Sequence, residues 1–246
     1  MAINNEADRL NYLETMGIQA WIPRVAEPEY TLTNSVADDC ALSKDKDAET
    51  CISDSSDVNH LDWEALEATV STCQACELHK TRTQTVFGVG NRQAKWMIIG
   101  EAPGADEDRQ GEPFVGRAGQ LLTAMLQALG LQREDVYIAN ILKCRPPNNR
   151  DPLAEEVIKC EAYLHRQVEL IQPKIILAVG RVAAQNLLKI DTPVGKMRQR
   201  QYEYADTGIP VVITYHPAYL LRSPGEKRKA WVDLCFARDI LQGSRP

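Results

Sequence analysis

The sequence predicts an α/β protein, a three-layer α/β/α sandwich around a central, mainly parallel four-stranded sheet. Three observations predict it. Short apolar runs bounded by Gly and Pro read as strands buried on both faces. Amphipathic helical stretches alternate with those runs, the order that builds parallel sheets. With 44% hydrophobic and 25% charged residues, the composition is ordinary for a globular chain, which excludes collagen, coiled coil and wholesale disorder.

Residues 5–16 read as a short helix with Leu10, Leu13 and Met16 in one stripe and Gly17 as its stop. Residues 26–60 are rich in Asp, Ser, Thr and Glu and poor in large apolar groups, so they read as an acidic disordered linker. This divides the chain into an N-terminal peptide (1–25), the linker (26–60) and one folded domain (61–246).

Within the domain, 61–73 is a helix with Leu61, Leu66 and Val70 on one side. The first strand is AKWMIIG, running into a Gly/Pro turn. A helix over 118–131 closes at Gly130. The second strand is DVYIANILKC, and a long helix starts just after Asp151. PKIILAVG is the third strand and RVAAQNLLKI its helix. IPVVITYHP is the fourth strand, and a helix over 226–242 closes the fold.

The formal net charge is −6, from 28 Lys+Arg against 34 Asp+Glu. Residues 1–60 carry net −8 and residues 61–246 net +2. The acidity thus belongs to the tail and linker, and the domain is compatible with a nucleic-acid partner. No apolar run is long enough to span a bilayer. The first residues lack the basic and apolar regions of a secretory signal.

Ligands of parallel sheets bind beyond the carboxyl ends of the strands. Glu101, Asn140, Gly180 and His216 all fall there, and that convergence is the strongest site signal in the sequence. Gly100-Glu101-Ala102-Pro103-Gly104 is a turn that lets backbone amides approach a ligand. Phe114, between Pro113 and Val115-Gly116, is either a loop anchor in the core or a stacking platform for a planar ring. Asn140 is either a cap or a carboxamide that reads a base edge, since it donates and accepts at once. His216 is placed to donate to a developing anion. Leu220-Leu221-Arg222 joins apolar wedges to a cation, and Lys227 to Lys229 is either a solvated helix face or a set of phosphate contacts.

The chain has 7 Cys. Cys73 and Cys76 form C-x-x-C, and Cys144 and Cys160 follow. Four such thiolates suit Zn²⁺ or an iron–sulfur cluster, and spacing does not separate the two. Cys40 and Cys51 lie in the linker, and Cys235 sits among Val232, Leu234 and Phe236 as a core residue.

Residues 73–235 resemble family 4 uracil-DNA glycosylases, the iron–sulfur branch of the uracil-DNA glycosylase superfamily. The resemblance rests on GEAPG (100–104), PFVGRAG (113–119), YIANILKCRPPNNRDP (137–152), VGRVAAQNLL (179–188), YHPAYLLR (215–222) and the four-cysteine layout. It implies a uracil-DNA glycosylase-like fold and a [4Fe–4S] cluster on Cys73, Cys76, Cys144 and Cys160. It implies a repair enzyme, active as a monomer in the cytoplasm of a bacterial cell at the nucleoid, that hydrolyses uracil from single- or double-stranded DNA. On that resemblance, uracil is expected to stack on Phe114, with Asn140 reading its O4/N3 edge and His216 steadying charge near O2. Glu101 orients water, Gly100, Ala102 and Gly104 line the pocket, and Glu107 is a secondary candidate. The resemblance also implies DNA contacts at Lys143, Arg145, Leu220, Leu221 and Arg222. The better-known relatives carry Asp where this chain has Ala102, so no strong base stands at that place. A related branch that forms a covalent sugar adduct uses a His in an inserted loop, and residues 107–119 contain none.

Tyr12–Arg24 is similar to the N-terminal peptide of the psi subunit of DNA polymerase III, which implies docking on the chi subunit through residues 1–25. Two other functions compete with uracil excision: a non-catalytic zinc or iron–sulfur nucleic-acid binding module, and a glycosylase for other deaminated bases.

Overall fold

The computed structural model describes residues 58–205 and 207–243. The N-terminal helix, the linker, Cys40 and Cys51 lie outside the described residues. The first described helix, α1 (Trp63–Thr72), starts where Asp62 accepts a hydrogen bond from Ala65 N at 2.9 Å. It buries Leu66 and Val70 completely.

Among the described residues the sheet has six strands. In chain order they are β1 (Val89–Gly90), β2 (Trp96–Gly100), β3 (Tyr137–Asn140), β4 (Ile175–Val179), β5 (Tyr202–Glu203) and β6 (Pro210–Thr214). Their spatial order is β1-β3-β2-β4-β6-β5. The four expected strands form its parallel centre, and β1 and β5 pair antiparallel at the two edges. The two edge strands are two residues each, too short to show periodicity in the sequence.

Every residue of β2, β3 and β4 is buried, which is why these strands read as unbroken apolar runs. Alternate residues still face opposite layers. Met97, Ile99, Ile176, Ala178, Val211 and Ile213 pack with Leu66, Val157, Leu164 and Ala183. Ile98, Ile138, Leu177, Val179 and Val212 pack with Leu122, Leu126 and Leu234. The first layer holds α1, α4 (Ala154–Ile171) and α5 (Arg181–Leu188); the second holds α3 (Arg117–Ala128) and α8 (Lys227–Leu241). This is the expected three-layer sandwich, with two more strands than the apolar runs announced.

Three short helices carry no long apolar stripe and escape the sequence pattern. They are α2 (Ala105–Gln110), α6 (Val194–Met197) and α7 (Pro217–Arg222). Local chemistry makes α2 and α7. Helix α2 starts where Glu107 Oε2 accepts from Gly104 N at 3.1 Å and stops at Gly111, whose φ is 79°. Helix α7 has Pro217 in its first turn and His216 as its cap. No described helix is long and apolar enough to cross a membrane.

Candidate active site

The carboxyl ends of β2 and β3 set the floor of the site. The parallel register places Gly100 beside Asn140. A methyl group added to Gly100 would lie 2.4 Å from Asn140 Oδ1 and 2.6 Å from Phe114 Cζ. Only glycine fits there, and the Asn140 carboxamide and the Phe114 ring converge over it. Asn140 is buried, yet its backbone carbonyl rather than its carboxamide is met by Lys143 Nζ, at 3.1 Å.

Phe114 is buried with φ at 55°, a left-handed conformation that costs an aromatic residue energy. The surroundings hold it there. Glu107 Oε1 accepts from Val115 N at 3.1 Å and from Gly116 N at 3.2 Å. The Arg133 guanidinium donates to the Pro113 carbonyl. Gly119 leaves room for the Phe114 carbonyl, which a Cβ would strike. Glu107 therefore spends both oxygens on three backbone amides, fastening the Gly100–Gly104 turn to the Phe114 loop. Arg133 has no short-range sequence signal for this work, and Glu107 has one only toward Gly104, three residues before it, since Val115 and Gly116 lie in another loop.

His216 follows β6 and faces Phe114, with ring centroids 5.7 Å apart and planes tilted by 31°. Its Nδ1 accepts from Ala218 N at 3.1 Å. The neutral ring then carries its proton on Nε2, free to donate. Burial, helped by the Arg222 charge and opposed by Glu107, pulls the imidazole down to about 4, so it is neutral at pH 7. Gly180, with φ at 101°, makes room for it, since a Cβ there would sit 3.0 Å from His216 Cβ. Behind the strand end, Asp233 accepts from Arg198 Nε at 2.6 Å and from Thr214 Oγ1 at 2.9 Å. Arg198 also covers the Tyr215 ring at 4.9 Å. This buried group steadies the exit from β6 into His216, and nothing in the sequence marks it.

Glu101 closes the set. Burial, reinforced by the nearby Asp151 carboxylate and opposed by Arg181, pushes its carboxyl up to about 7. Asp151 and Arg181 pair at 2.5 Å. Ala102 is half-buried and places no charge beside Glu101.

Two of the expected DNA contacts are corrected. Lys143 is 1% exposed, because its ammonium is held by three oxygens inside the fold, so it does not face a phosphate. Leu220 is 1% exposed and packs below the surface, while Leu221 is 41% exposed and Arg222 is exposed. Arg145 is half-buried and bonds Asn149 Oδ1 at 2.7 Å. Arg150 is committed to Glu156 through two hydrogen bonds, at 2.9 and 2.6 Å. Lys227 and Arg228 stay exposed, and Lys229 pairs with Glu226 at 2.8 Å. A cavity of about 370 Å³ lined by Lys95, Trp96, Leu129 and Arg238 lies away from these residues, at the start of β2.

The four cysteines gather on the first layer's side of the sheet. Cys144 and Cys160 are buried there, and Cys73 and Cys76 pack against the same core. Cys144 Sγ accepts from Arg82 Nη1 at 3.0 Å, and Cys160 Sγ from Lys143 N at 3.3 Å. Burial raises the thiols of Cys76, Cys144 and Cys160, the last to about 12, and the neighbouring cysteines push each further up. Four soft donors, with burial raising the thiols of Cys76, Cys144 and Cys160 and N–H groups already on two sulfurs, fit a soft metal centre whose positive charge would reverse that penalty. Among the described residues, no three His, Cys, Asp or Glu side chains are spaced to hold a single metal ion. Cys235 is half-buried on α8, away from this group.

Comparison with known proteins places these features in company. A family model described as the uracil DNA glycosylase superfamily matches residues 87–238. A type-4 uracil-DNA glycosylase of Archaeoglobus fulgidus is 53% identical over 161 residues, covering 63% of this chain and 81% of that protein. The type-4 enzyme of Saccharolobus solfataricus is 47% identical over 185 residues, 72% of this chain and 85% of the relative. That of Pyrobaculum aerophilum is 43% identical over 182 residues, 72% and 93% respectively.

Proposed function

This chain belongs to the uracil DNA glycosylase superfamily, and from that premise we propose that it is a DNA-repair enzyme that flips uracil out of DNA and hydrolyses its N-glycosidic bond. The product is an abasic site, and base-excision repair follows. The observation that carries the reading is the meeting of a base platform (Phe114), an edge-reading carboxamide (Asn140) and a neutral imidazole with a free Nε2–H (His216) at one end of the sheet.

The chemistry follows from those groups. Uracil stacks on Phe114. The Asn140 carboxamide donates to O4 and accepts from N3–H, a pattern that cytosine inverts. As the bond from N1 to C1′ breaks, its electron pair stays on the base, and His216 Nε2–H donates to the O2 that gains charge. Water adds at C1′ of the cationic sugar. Glu101, ionised to about half at neutral pH, orients that water and takes up its proton. Leu221 and Arg222 fill the gap left by the flipped nucleotide, with Arg145, Lys227 and Arg228 along the phosphates.

Cys73, Cys76, Cys144 and Cys160 are the residues that would hold a [4Fe–4S] cluster, and what supports this is the donor set and its suppressed ionisation. Such a group would cross-link the surrounding loops when bound. The enzyme works as a monomer in the bacterial cytoplasm, at the nucleoid. Residues 1–25 tether it to the chi subunit of the clamp loader, and titration calorimetry of that peptide against chi tests the tether, with no heat at micromolar concentration rejecting it.

The function is tested by incubating the full chain with a uracil-containing single-stranded oligonucleotide, then alkali. Strand scission at the uracil is expected. No scission by protein that retains its visible absorbance would return the chain to the class of non-catalytic binding modules. Scission at hypoxanthine or xanthine but not at uracil would move it to another deaminated base.

A further inference from the structure

We infer that Lys143 is a positioning residue: it fixes the backbone of the uracil-reading Asn140 and joins that residue mechanically to the cysteine site. The inference rests on the proposed uracil chemistry and deepens it.

Lys143 stands three residues after Asn140 and one before Cys144. An ammonium has three N–H donors, and here each meets an oxygen. They go to Asn140 O at 3.1 Å, Phe87 O at 3.2 Å and Gln167 Oε1 at 2.6 Å. The Lys143 backbone N–H meanwhile donates to Cys160 Sγ at 3.3 Å. One residue therefore touches the strand end that presents the carboxamide and a sulfur of the thiol site.

The contacts extend backward. Gln167 is completely buried, and its Nε2 donates to Phe87 O at 3.0 Å and lies 3.1 Å from the Tyr137 hydroxyl. The polar network runs from α4 through Lys143 to the last residue of β3. Its acceptors for Lys143 are neutral, so no carboxylate offsets the buried charge by direct contact. A buried lysine so placed costs more than an apolar side chain of its size would. The charges that would face it are those of Cys144 and Cys160 as metal-bound thiolates. The bond to Asn140 O, anchored by those to Phe87 O and Gln167 Oε1, fixes the end of β3 and gives what base reading needs, a carboxamide on a backbone that does not move.

The experiment compares wild type, Asn140→Ala, Lys143→Met and Gln167→Met. The probes are free uracil as an inhibitor, a uracil-containing oligonucleotide as substrate, and visible absorbance per chain. Lys143→Met is expected to weaken inhibition by free uracil by about tenfold or more, towards the Asn140→Ala value, and to lower kcat/KM with it while absorbance is kept. Gln167→Met leaves the bond to Asn140 in place and is expected to move the same constant by about threefold. Wild-type uracil inhibition in folded Lys143→Met overturns the inference, as does loss of absorbance with uracil inhibition intact. Should Lys143→Met lose its fold or its absorbance together with uracil inhibition, Gln167→Met decides, and an unchanged constant there rejects the role. Failure of wild type to excise uracil strikes the proposed function instead.

Discussion

The stretch from Asn140 to Cys144 belongs at one end to the base pocket and at the other to the thiol site, and the two regions are built on opposite terms. The pocket is finished as folded. His216 is neutral with its Nε2–H free, Asn140 is pinned beside Gly100, and Phe114 is held against its backbone preference. Its groups are placed as donors and acceptors and need no ionisation beyond that of Glu101. The thiol site is built around groups that burial holds neutral. Burial keeps Cys76, Cys144 and Cys160 protonated, so each has something to gain from a cation. On the proposed reading, chemistry falls to the pocket and support of the fold to the thiol site, with Lys143 linking them, and variants at Cys160 and His216 test that division.

The largest effect is expected at the thiol site. Cys160→Ala removes a buried sulfur from the set. If metal held there at a thousand times its dissociation constant supports the fold, the stability lost is about 4 kcal/mol. Thermal denaturation and visible spectra are the checks. An unchanged melting temperature with absorbance gone would show that the site does not support the fold.

Next comes His216→Ala. Losing one donor to a developing oxyanion costs about 10²–10³ in rate. Single-turnover kcat should fall by that factor with absorbance kept at wild type, while the lost cap on α7 costs about 1 kcal/mol of stability. The contrast between the two variants is the test of separation, and a His216→Ala protein that loses its absorbance would break it.

The comparison also explains what was legible in the sequence. The grouping of the four thiols was legible in part, because C-x-x-C keeps Cys73 and Cys76 together while Cys144 and Cys160 join them only through the fold. The central strands were visible because full burial leaves only apolar residues in Trp96–Gly100 and Ile175–Val179. The pocket was visible in part, as Glu101, Asn140 and His216 sit at strand ends and a strand end is a simple inference. What holds the pocket was not. Glu107, Arg133 and the Arg198–Asp233 pair act across loops, and a sequence does not say which loop meets which. Lys143 and Leu220 were misjudged for one reason. A lysine in a polar motif and a leucine beside another leucine look exposed, and only the packing of α4 and of α7 against α3 decides otherwise.

A smaller effect is expected from pH. Glu101 deprotonates around 7, so its carboxylate share rises from about a tenth at pH 6 to about nine-tenths at pH 8. His216, titrating near 4, stays neutral across that window. The single-turnover rate should therefore climb by about tenfold between pH 6 and pH 8. Glu101→Gln should flatten the rise. A wild-type rate that stays level from pH 6 to pH 8 would remove Glu101 from water activation. The thiol site should be silent in this experiment, its absorbance constant throughout.

The smallest effect belongs to the rim of the pocket. Leu221 is 41% exposed while its neighbour Leu220 is buried beside Met125, Trp231 and Leu234. Truncating Leu220 would open a cavity and confuse stability with DNA contact. Leu221→Ala avoids that, since surface substitutions away from packed features cost under about 0.5 kcal/mol in stability. What it removes is an apolar wedge against the gap in the DNA. The expected outcome is a KM for the uracil oligonucleotide raised by about threefold, with single-turnover kcat and melting temperature unchanged. A fall in kcat alone would place Leu221 in the chemical step and pull the boundary of the pocket outward to include α7. An unchanged KM would leave Arg222 as the α7 side chain that meets the DNA.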